Sequence, residues 1–313
     1  MTKQKNNNHY HQYTCMQPTQ YIWLNGKFVP WNEAKIHVLT HALHYGTGLF
    51  EGIRVYATRK GPAAFQLDKH LDRLYYGARC LDMKVPWSQE EFKTAILETI
   101  TRNEVTACYV RPLVYYGFGE LRVDPVGCPV EGAIAVWPWG AYLGDEAINV
   151  IVSDIIRIHP KSSFTDAKIT GHYVNSMLAG FAVRKGNYQE SLLLDFEGNI
   201  AEGPGENFFL VKGNTVITPP LYSILAGITR SSIMELAKDL GYAVEEKKIT
   251  LADVFDADEC FFTGTAAEVT AIKTINDRPM KNQNGPITAR LRAEFRMIVN
   301  GENEKYRKWL TFV

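Results

Sequence analysis

Residues 166–180 contain a lysine placed where it could do covalent chemistry. Lys168 stands among small residues, and Tyr173 follows five positions later, in a run typical of a helix. A lysine amine has a reference pKa near ~10.4, so it is a poor nucleophile until burial or an aldehyde intervenes. As a Schiff base to an aldehyde it can anchor a cofactor. Once displaced by substrate, it can then move a proton as general acid and base.

Three glycine-containing turns downstream supply what such a lysine needs. Glu202 lies in Ala-Glu-Gly-Pro-Gly-Glu-Asn at 201–207, where Gly203 permits a ring to approach the carboxylate. Residues 227–229 open a predicted helix, whose free N–H groups and dipole favour phosphate. Residues 264–266 follow a predicted strand and offer further amides and a hydroxyl. A lysine, an anion for a pyridine nitrogen and two phosphate turns together indicate a pyridoxal phosphate enzyme.

Each of these parts alone also has an ordinary interpretation. Most lysines are exposed and solvated. A carboxylate in a turn, such as Glu202, is commonly solvated as well, and a small-residue turn is more often only a turn. The hypothesis therefore depends on the set and not on any one member.

Two nearby patterns indicate structure and not a further cofactor. His37, His41 and His44 fall at helical spacing, but no carboxylate completes a metal site, so we expect structural histidines and no metal. Gly46-x-Gly48 lacks the third glycine of a dinucleotide fingerprint. We expect these glycines to let a loop approach another segment closely.

Length, charge and cysteine usage limit the class of protein. A chain of 313 residues is long enough for one large or two medium domains. The 34 basic and 34 acidic residues cancel, which argues against nucleic acid or an anionic membrane as partner. Five scattered cysteines without a C-x-x-C motif predict reduced thiols in the cytoplasm. No apolar run is long enough to span a membrane, and the first 20 residues lack a signal peptide's apolar core.

The first part of the chain predicts hairpins, two helices and antiparallel strands. Asn25-Gly26 between apolar runs is typical of a two-residue hairpin turn. We expect Asp68 to cap one helix and Ser88-x-x-Glu91 to form the capping box of a second helix, which runs to residue 102. Strands are predicted over 53–57, 108–116 and 132–137.

A Pro- and Gly-containing stretch at 137–144 predicts a junction between two domains. We expect a disordered tail at 1–20, a small N-terminal domain at 21–137, an interdomain loop at 138–147 and a larger C-terminal domain at 148–313. In the C-terminal part, helices are predicted over 173–184, over 228–240 and from Pro286, with strands at 149–153, 191–195, 207–212 and 259–263.

Taken together, the motifs strongly resemble those of the branched-chain amino acid aminotransferases, class IV aminotransferases of fold type IV. They occur in collinear order between about residues 21 and 300 and are His41-Ala-Leu-His-Tyr-Gly-Thr47, Phe50-Glu-Gly-Ile-Arg54, Tyr109-Val-Arg-Pro112, Pro138-Trp-Gly-Ala-Tyr-Leu-Gly144, Glu202-Gly-x-Gly-Glu-Asn207, Pro219-Pro220, Gly227-Ile-Thr-Arg230 and Gly264-Thr-Ala-Ala-Glu268. The resemblance implies an α/β (α+β) fold with two domains, a small N-terminal α/β domain and a larger C-terminal pseudo-barrel. It also implies a homodimer or a higher homo-oligomer.

The resemblance assigns the cofactor-binding residues. Lys168 would form the Schiff base with pyridoxal 5'-phosphate and be the catalytic residue. Glu202 would pair with the pyridine nitrogen, and Tyr173 would bind the phenolic oxygen. The residues expected to hold the phosphate are Arg73, Ile228, Thr229 and Thr265.

The resemblance also assigns a substrate site. Tyr109 and the Thr265 and Ala266 amides would take the α-carboxylate. The remaining substrate-binding residues would be Tyr45, Phe50, Arg54, Arg111 and Tyr142. Because the side-chain pocket must accept both an aliphatic chain and the carboxylate of glutamate, we expect Arg111 to bind the carboxylate while aromatic faces take the aliphatic chain.

The predicted reaction is reversible, ping-pong transfer of an amino group between L-leucine, L-isoleucine or L-valine and 2-oxoglutarate. One departure concerns substrate choice: Arg122, in Gly119-Glu-Leu-Arg-Val-Asp-Pro125, adds a cation where this pocket is completed, or else faces solvent. A D-amino acid or (R)-amine transaminase is the alternative inside the class, although Tyr109-x-Arg111 is the branched-chain pattern. A ligand-binding protein without activity would need to lack Lys168 or Glu202, and both are present.

Overall fold

The computed structural model describes residues 16–139 and 146–313. Within these ranges two eight-stranded sheets are flanked by helices, which confirms the predicted mixed α/β class. The domain limits themselves stay a prediction. In the described residues no helix is both long and apolar enough to cross a membrane.

The first sheet is antiparallel throughout and is built mainly from the N-terminal part of the chain. Its strands are β1 (Tyr21–Leu24), β2 (Lys27–Pro30), β3 (Gly48–Phe50), β4 (Ile53–Thr58), β5 (Gly61–Phe65), β6 (Cys108–Tyr116), β7 (Val130–Trp137) and, from the end of the chain, β16 (Leu310–Phe312). The predicted hairpin turn joins β1 to β2, where Asn25 and Gly26 have φ values of 48° and 87°. Both residue types tolerate this left-handed backbone.

The second sheet is mixed, and two turns of the candidate site adjoin its strands. Its strands are β8 (Ile148–Val152), β9 (Glu190–Leu192), β10 (Asn207–Lys212), β11 (Thr215–Thr218), β12 (Ala243–Glu246), β13 (Glu259–Gly264), β14 (Glu268–Ile275) and β15 (Arg278–Pro279). β10 pairs antiparallel with β13, and β13 with β14. The turns at 202–206 and 264–267 therefore lie at the same end of this sheet.

Seven α-helices are described: α1 (His41–Tyr45), α2 (Leu67–Cys80), α3 (Gln89–Arg102), α4 (Tyr173–Gly180), α5 (Ile228–Asp239), α6 (Leu251–Asp256) and α7 (Pro286–Val299). The predicted capping box of Ser88 and Glu91 starts α3, and Pro286 starts α7. The predicted helix over 173–184 is α-helical only to Gly180 and continues as a 3₁₀ helix to Lys185.

The prediction that Asp68 caps α2 is wrong. The N-cap is Gln66, which adopts φ 53° and donates its N–H to the Trp309 carbonyl at 2.6 Å. The helix then begins at Leu67, whose side chain is completely buried. A long-range contact with the end of the chain and an apolar anchor therefore set this start, and Asp68 lies in the first turn.

Among the residues that the structure describes, three apolar cores hold the elements together. One lies between the first sheet and helices α2 and α3, and another lies inside the second sheet. The remaining core joins them, because Phe65 of β5 and Trp309 pack with Phe295 of α7 and Phe261 of β13. The two sheets are thus joined by a common apolar core.

Candidate active site

Lys168 lies against two aromatic rings. Its carbonyl accepts a hydrogen bond from the Phe50 N–H of β3 at 3.2 Å, which ties its segment to the first sheet. Its amine donates to the Tyr173 hydroxyl at 2.5 Å. The amine is also 4.9 Å from the centroids of both the Phe50 and Tyr173 rings. The reactive nitrogen and the tyrosine hydroxyl are therefore immediate neighbours.

The two glycines of the 46–48 motif permit a close contact beside Lys168. Gly46 ends α1 with φ 65°, and a side chain there would place its Cβ 2.7 Å from the Gly171 Cα. The Gly171 N–H and the Thr170 hydroxyl both donate to the Gly46 carbonyl. The close loop approach expected from this motif is confirmed, and its target is the segment that follows Lys168.

Glu202 is a buried carboxylate with three donors. Arg157 Nε donates to Oε1 at 2.5 Å, while the Asn207 side-chain amide and the Leu225 N–H each donate to Oε2 at 3.0 Å. Arg157 is buried as well, and its Nη1 has no partner within the described residues. Charge-assisted bonds of this kind fix a carboxylate in orientation.

A cavity opens between Lys168's segment and the Glu202 turn. It is lined by Arg157, Tyr173, Glu202 and residues 203–207, among others. A residue with a side chain would not fit at position 203 without a shift, because its Cβ would lie 2.8 Å from the Glu206 Oε2. The Glu202 carboxylate and Tyr173 are both on its walls, and Lys168 lies next to it through the contact of its amine with the Tyr173 hydroxyl.

The α5 N-terminus provides the phosphate side of the cradle. Its N-cap is Gly227, which contributes no side-chain cap, so the N–H groups of Ile228 and Thr229 remain available. A side chain at Gly227 would place its Cβ 1.8 Å from the Asn207 Oδ1, so only glycine fits there. The residues present therefore suit pyridoxal phosphate, with Thr265 on the neighbouring turn between β13 and β14.

Arg73 is fixed beside this turn by a buried ion pair. Its guanidinium donates to Glu51 at 2.7 and 2.8 Å, and its Nη1 donates to the Ala226 carbonyl at 2.8 Å. His70 Nδ1 lies 2.7 Å from the same carboxylate. Burial alone would raise the pKa of Glu51, but Arg73 and His70 together hold it well below its usual range. Arg73 thus places a guanidinium group next to residues 226–229, the turn that is expected to bind the phosphate.

The predicted substrate residues Tyr109 and Arg111 both lie on β6, and their side chains are in contact with each other. Arg111 lies over the rings of Phe50, Tyr109 and Trp137, at 4.7, 5.4 and 5.8 Å from their centroids. Its Nε is buried and has no hydrogen-bond partner in the described part of the chain. A cation held by ring faces, with a donor left over, is suited to a carboxylate ligand.

Other predicted residues lie further out. Arg54 is opposite Tyr109 in the β4–β6 pairing, and its guanidinium lies 4.0 Å from Glu268, next to the 264–267 turn. Tyr45 is 41% exposed with its ring against His41. Arg122 is exposed and pairs with Glu120 at 3.0 Å. Tyr142 lies outside the described residues.

Sequence reasoning assigned no role to several residues of the site. Asn207 and Glu51 lie inside motifs that carry the family resemblance. Glu51 precedes Gly52, and Asn207 follows Gly205 by two positions, so a polar side chain near a glycine was a usable signal. Arg157 stands 45 positions before Glu202 and gave no local signal, because their contact depends on how the second sheet folds.

Replacing Glu202 by glutamine should lower the rate while leaving cofactor bound. The amide cannot hold a proton on the pyridine nitrogen, and its NH₂ would face the donors of Asn207 and Leu225. Loss of one charged hydrogen bond predicts a fall of roughly 10–100-fold in kcat as a minimum. Turnover and cofactor absorbance would be measured beside the exposed control Glu245→Gln. Unchanged turnover would move the role to another carboxylate, with Glu206 as the first candidate.

A second buried carboxyl predicts pH-dependent stability. Burial raises the pKa of Glu206 from 4.5 to about 7, although the Gly205 N–H and Lys168 oppose this and Glu202 adds to it. Burial and Glu206 likewise raise the pKa of Glu190. The folded protein therefore holds a proton that the unfolded chain releases, so stability falls as pH rises from about 4.5 to about 7.

The cofactor-free Glu206→Gln variant should escape this loss. We define the difference in free energy of unfolding as variant minus wild type. This difference should increase by roughly 1–3 kcal/mol when the pH is raised from about 5 to about 8. Urea unfolding at both pH values measures the difference, and Glu245→Gln is again the exposed control. An equal effect of Glu206→Gln on stability at both pH values would contradict the raised pKa of Glu206.

Comparison with known proteins identifies the family of this chain. The sequence profile of the family described as Amino-transferase class IV matches residues 48–275. The chain therefore belongs to the class IV aminotransferase family.

Three relatives within that class have the same activity in their names. A branched-chain-amino-acid aminotransferase of Pseudomonas aeruginosa is 42% identical over 93% of this chain and 97% of its own length. The one from Escherichia coli K12 is also 42% identical, over 93% of this chain and 96% of its length. The T.th. branched-chain amino acid aminotransferase, crystallised with N-(5'-phosphopyridoxyl)-L-glutamate, superposes with a TM-score of 0.92 at 44% identity, covering 95% of this chain and 99% of that one.

Proposed function

We propose that this protein transfers amino groups reversibly between L-leucine, L-isoleucine or L-valine and 2-oxoglutarate, in a ping-pong reaction dependent on pyridoxal 5'-phosphate. The observation that carries the proposal is the joint placement of Lys168 and Glu202. The lysine amine contacts Tyr173, and Tyr173 lines the same cavity as Glu202, which Arg157 holds in place. The shared name of the relatives supports this reaction and not the D-amino acid or (R)-amine alternative.

The division of labour follows from these positions. When bound, pyridoxal phosphate supplies an aldehyde for the amino group and a ring that accepts the electron pair left when the α-proton departs. Lys168 anchors the cofactor and then carries the proton at its Nζ. Glu202 would hold the proton of the ring nitrogen, and Tyr173 would donate a hydrogen bond to the phenolic oxygen. The residues that would hold the phosphate are Arg73, Ile228, Thr229 and Thr265.

Substrate recognition depends on one pocket that serves two kinds of side chain. Tyr109 and the amides of Thr265 and Ala266 would hold the α-carboxylate common to all substrates. Phe50 and the other aromatic faces would contact a branched aliphatic chain. Arg111 would bind the distal carboxylate of glutamate through the donor that the described residues leave unused.

A donor panel tests the proposed reaction. Purified holoenzyme would be mixed with L-leucine, L-isoleucine, L-valine, L-glutamate, D-alanine or an (R)-amine, and the cofactor absorbance followed for each. We expect all four L-amino acids to convert the cofactor and 2-oxoglutarate to restore it. Faster conversion with D-alanine or the (R)-amine would favour the alternative activity.

An exposed apolar surface supports a homo-oligomer as the working form. The loop at 118–126 contacts the segment before α1 through the Phe118 and His37 rings, and it contacts α1 itself at His41, whose Nε2 lies 2.7 Å from the Arg122 carbonyl. This joint surface leaves Val38, Leu43, Phe118, Val123 and Val126 exposed. Covering such a patch favours association with a second copy. Sedimentation of wild type and a Val123→Asp, Val126→Asp variant tests this, since only the variant should sediment as a monomer.

We also propose the cytoplasm as the site of action. Cys80, Cys108, Cys128 and Cys260 are free thiols, as expected in a reducing compartment.

A further inference from the structure

A second cavity lies behind the Glu202 turn. Its volume is about 400 Å³, within the range of small-molecule sites. The apolar part is formed by Ile200, Ala201 and Ile224, which are buried, and by Pro219 and Pro220. None of these five residues has a role in the proposed transamination.

Charged side chains of both signs stand at this cavity's mouth. Lys248 Nζ and the Glu197 carboxylate form an ion pair, with side chains 59% and 39% exposed. Tyr222 lines the cavity and is about half exposed, and the Ser223 hydroxyl is buried without a partner among the described residues. Exposed ion pairs contribute little stability, so a ligand can exchange both partners at small cost.

The adjacent opposite charges select the ligand class. A phosphate or dicarboxylate would be attracted by Lys248 but repelled by Glu197 and by Asp195, a second carboxylate of this cavity that accepts hydrogen bonds from the N–H groups of Glu197 and Asn199. A zwitterion satisfies both, because its carboxylate can take Lys248 while its ammonium takes Glu197. The apolar floor then suits an aliphatic side chain. These features fit an apolar α-amino acid.

This cavity shares a wall with the cofactor cavity. Ala201 and Ile224 face one side, while the next residues, Glu202 and Leu225, line the other. The Leu225 N–H donates a hydrogen bond to Glu202. Thr165, three residues before Lys168, donates from its hydroxyl to the Tyr222 carbonyl at 3.1 Å. A ligand that moves residues 222–225 therefore changes the hydrogen bonding of Glu202.

We propose that this second cavity is a regulatory site for an apolar, zwitterionic amino acid, coupled to the cofactor through residues 201–202 and 222–225. The inference goes beyond the transamination reaction and does not depend on which donors the active site accepts. A coupling between two sites requires that each ligand alters the environment of the other.

The test uses holoenzyme reduced with borohydride, in which the cofactor is fixed and transamination cannot occur. L-leucine would be titrated by calorimetry, and the fluorescence of the reduced cofactor would be followed in parallel. We expect one saturable site per chain at millimolar concentrations, with a change in fluorescence on binding. Isopentylamine and 4-methylpentanoate, which each lack one of the two charges, should bind roughly tenfold or more weakly.

Surface variants separate this site from the active site. Lys248→Ala and Glu197→Ala should each weaken leucine binding by roughly 10–100-fold. Lys247→Ala, an exposed neighbour, should leave it unchanged. Absence of binding, or equal binding in all three variants, would overturn the site. Binding without a fluorescence change would overturn its coupling to the cofactor. Failure of the donor panel with leucine would overturn the proposed reaction alone.

Discussion

The Lys168→Ala variant should lose activity by several orders of magnitude and should no longer hold its cofactor covalently. Proton transfer by a positioned side chain alone is worth about 10²–10⁴-fold, and the variant loses the anchor as well. The measurements are the rate of the leucine half-reaction and the absorbance spectrum of the purified variant.

The geometry explains why no neighbour can replace this lysine. Within the described contacts, its amine is held at 2.5 Å from the Tyr173 hydroxyl and between two aromatic rings. Tyr173 has no amine, and the Arg157 guanidinium is occupied by Glu202. A small primary amine added to the solution should therefore restore part of the rate, because the variant leaves space for it.

The matched control is Lys161→Ala, an exposed lysine of the same segment. It should keep the rate and spectrum of wild type. Retention of more than about a tenth of the wild-type rate in Lys168→Ala would contradict its role as proton carrier.

The second large effect is expected in Arg111→Ala, and it should depend on the substrate. For glutamate and 2-oxoglutarate, the distal carboxylate would be desolvated without a partner, at a cost of about 2–5 kcal/mol. For leucine only packing is lost, about 1 kcal/mol. The ratio of kcat/KM for leucine to that for glutamate should therefore rise by roughly 5-fold to several hundred-fold.

The three aromatic rings around Arg111 explain why its loss should affect glutamate more than leucine. They position the guanidinium through their faces, and the Nε that they leave without a partner in the described residues is the donor a carboxylate would use. Arg111→Lys retains the charge but not the planar fork, so it should recover only part of the glutamate activity.

Arg122→Ala provides the comparison. Since the Arg122 side chain is 74% exposed and pairs with Glu120, its loss should alter the ratio weakly or not at all. A weak change in the same direction as Arg111→Ala would indicate that Arg122 reaches the side-chain pocket, and no change would leave it in solvent. Equal losses for leucine and glutamate in Arg111→Ala would contradict the pocket with two uses.

Local sequence signals predicted the parts of the fold that depend on neighbours in the chain. The Asn25-Gly26 turn, the Ser88 capping box and the Pro286 helix start all follow from chemistry within a few residues. Strands 108–116 and 207–212 were predicted with the limits that the structure shows, because apolar runs bounded by turns define them well.

Features set by distant contacts could not be predicted in this way. The start of α2 depends on Trp309, and the Arg157–Glu202 pair joins residues 45 positions apart. The Glu51–Arg73 pair depends on β3 and α2 lying side by side. The site residues could be predicted from the resemblance of the motifs. The hydrogen bonds that fix their orientation could be seen only in the folded structure.

The identity of the lysine that carries the cofactor is the most direct test of the central claim. Holoenzyme would be reduced with borohydride, digested, and the peptide bearing the pyridoxyl group identified by mass spectrometry. The predicted result is a single modified peptide with the group on Lys168. The group on any other lysine would contradict the account.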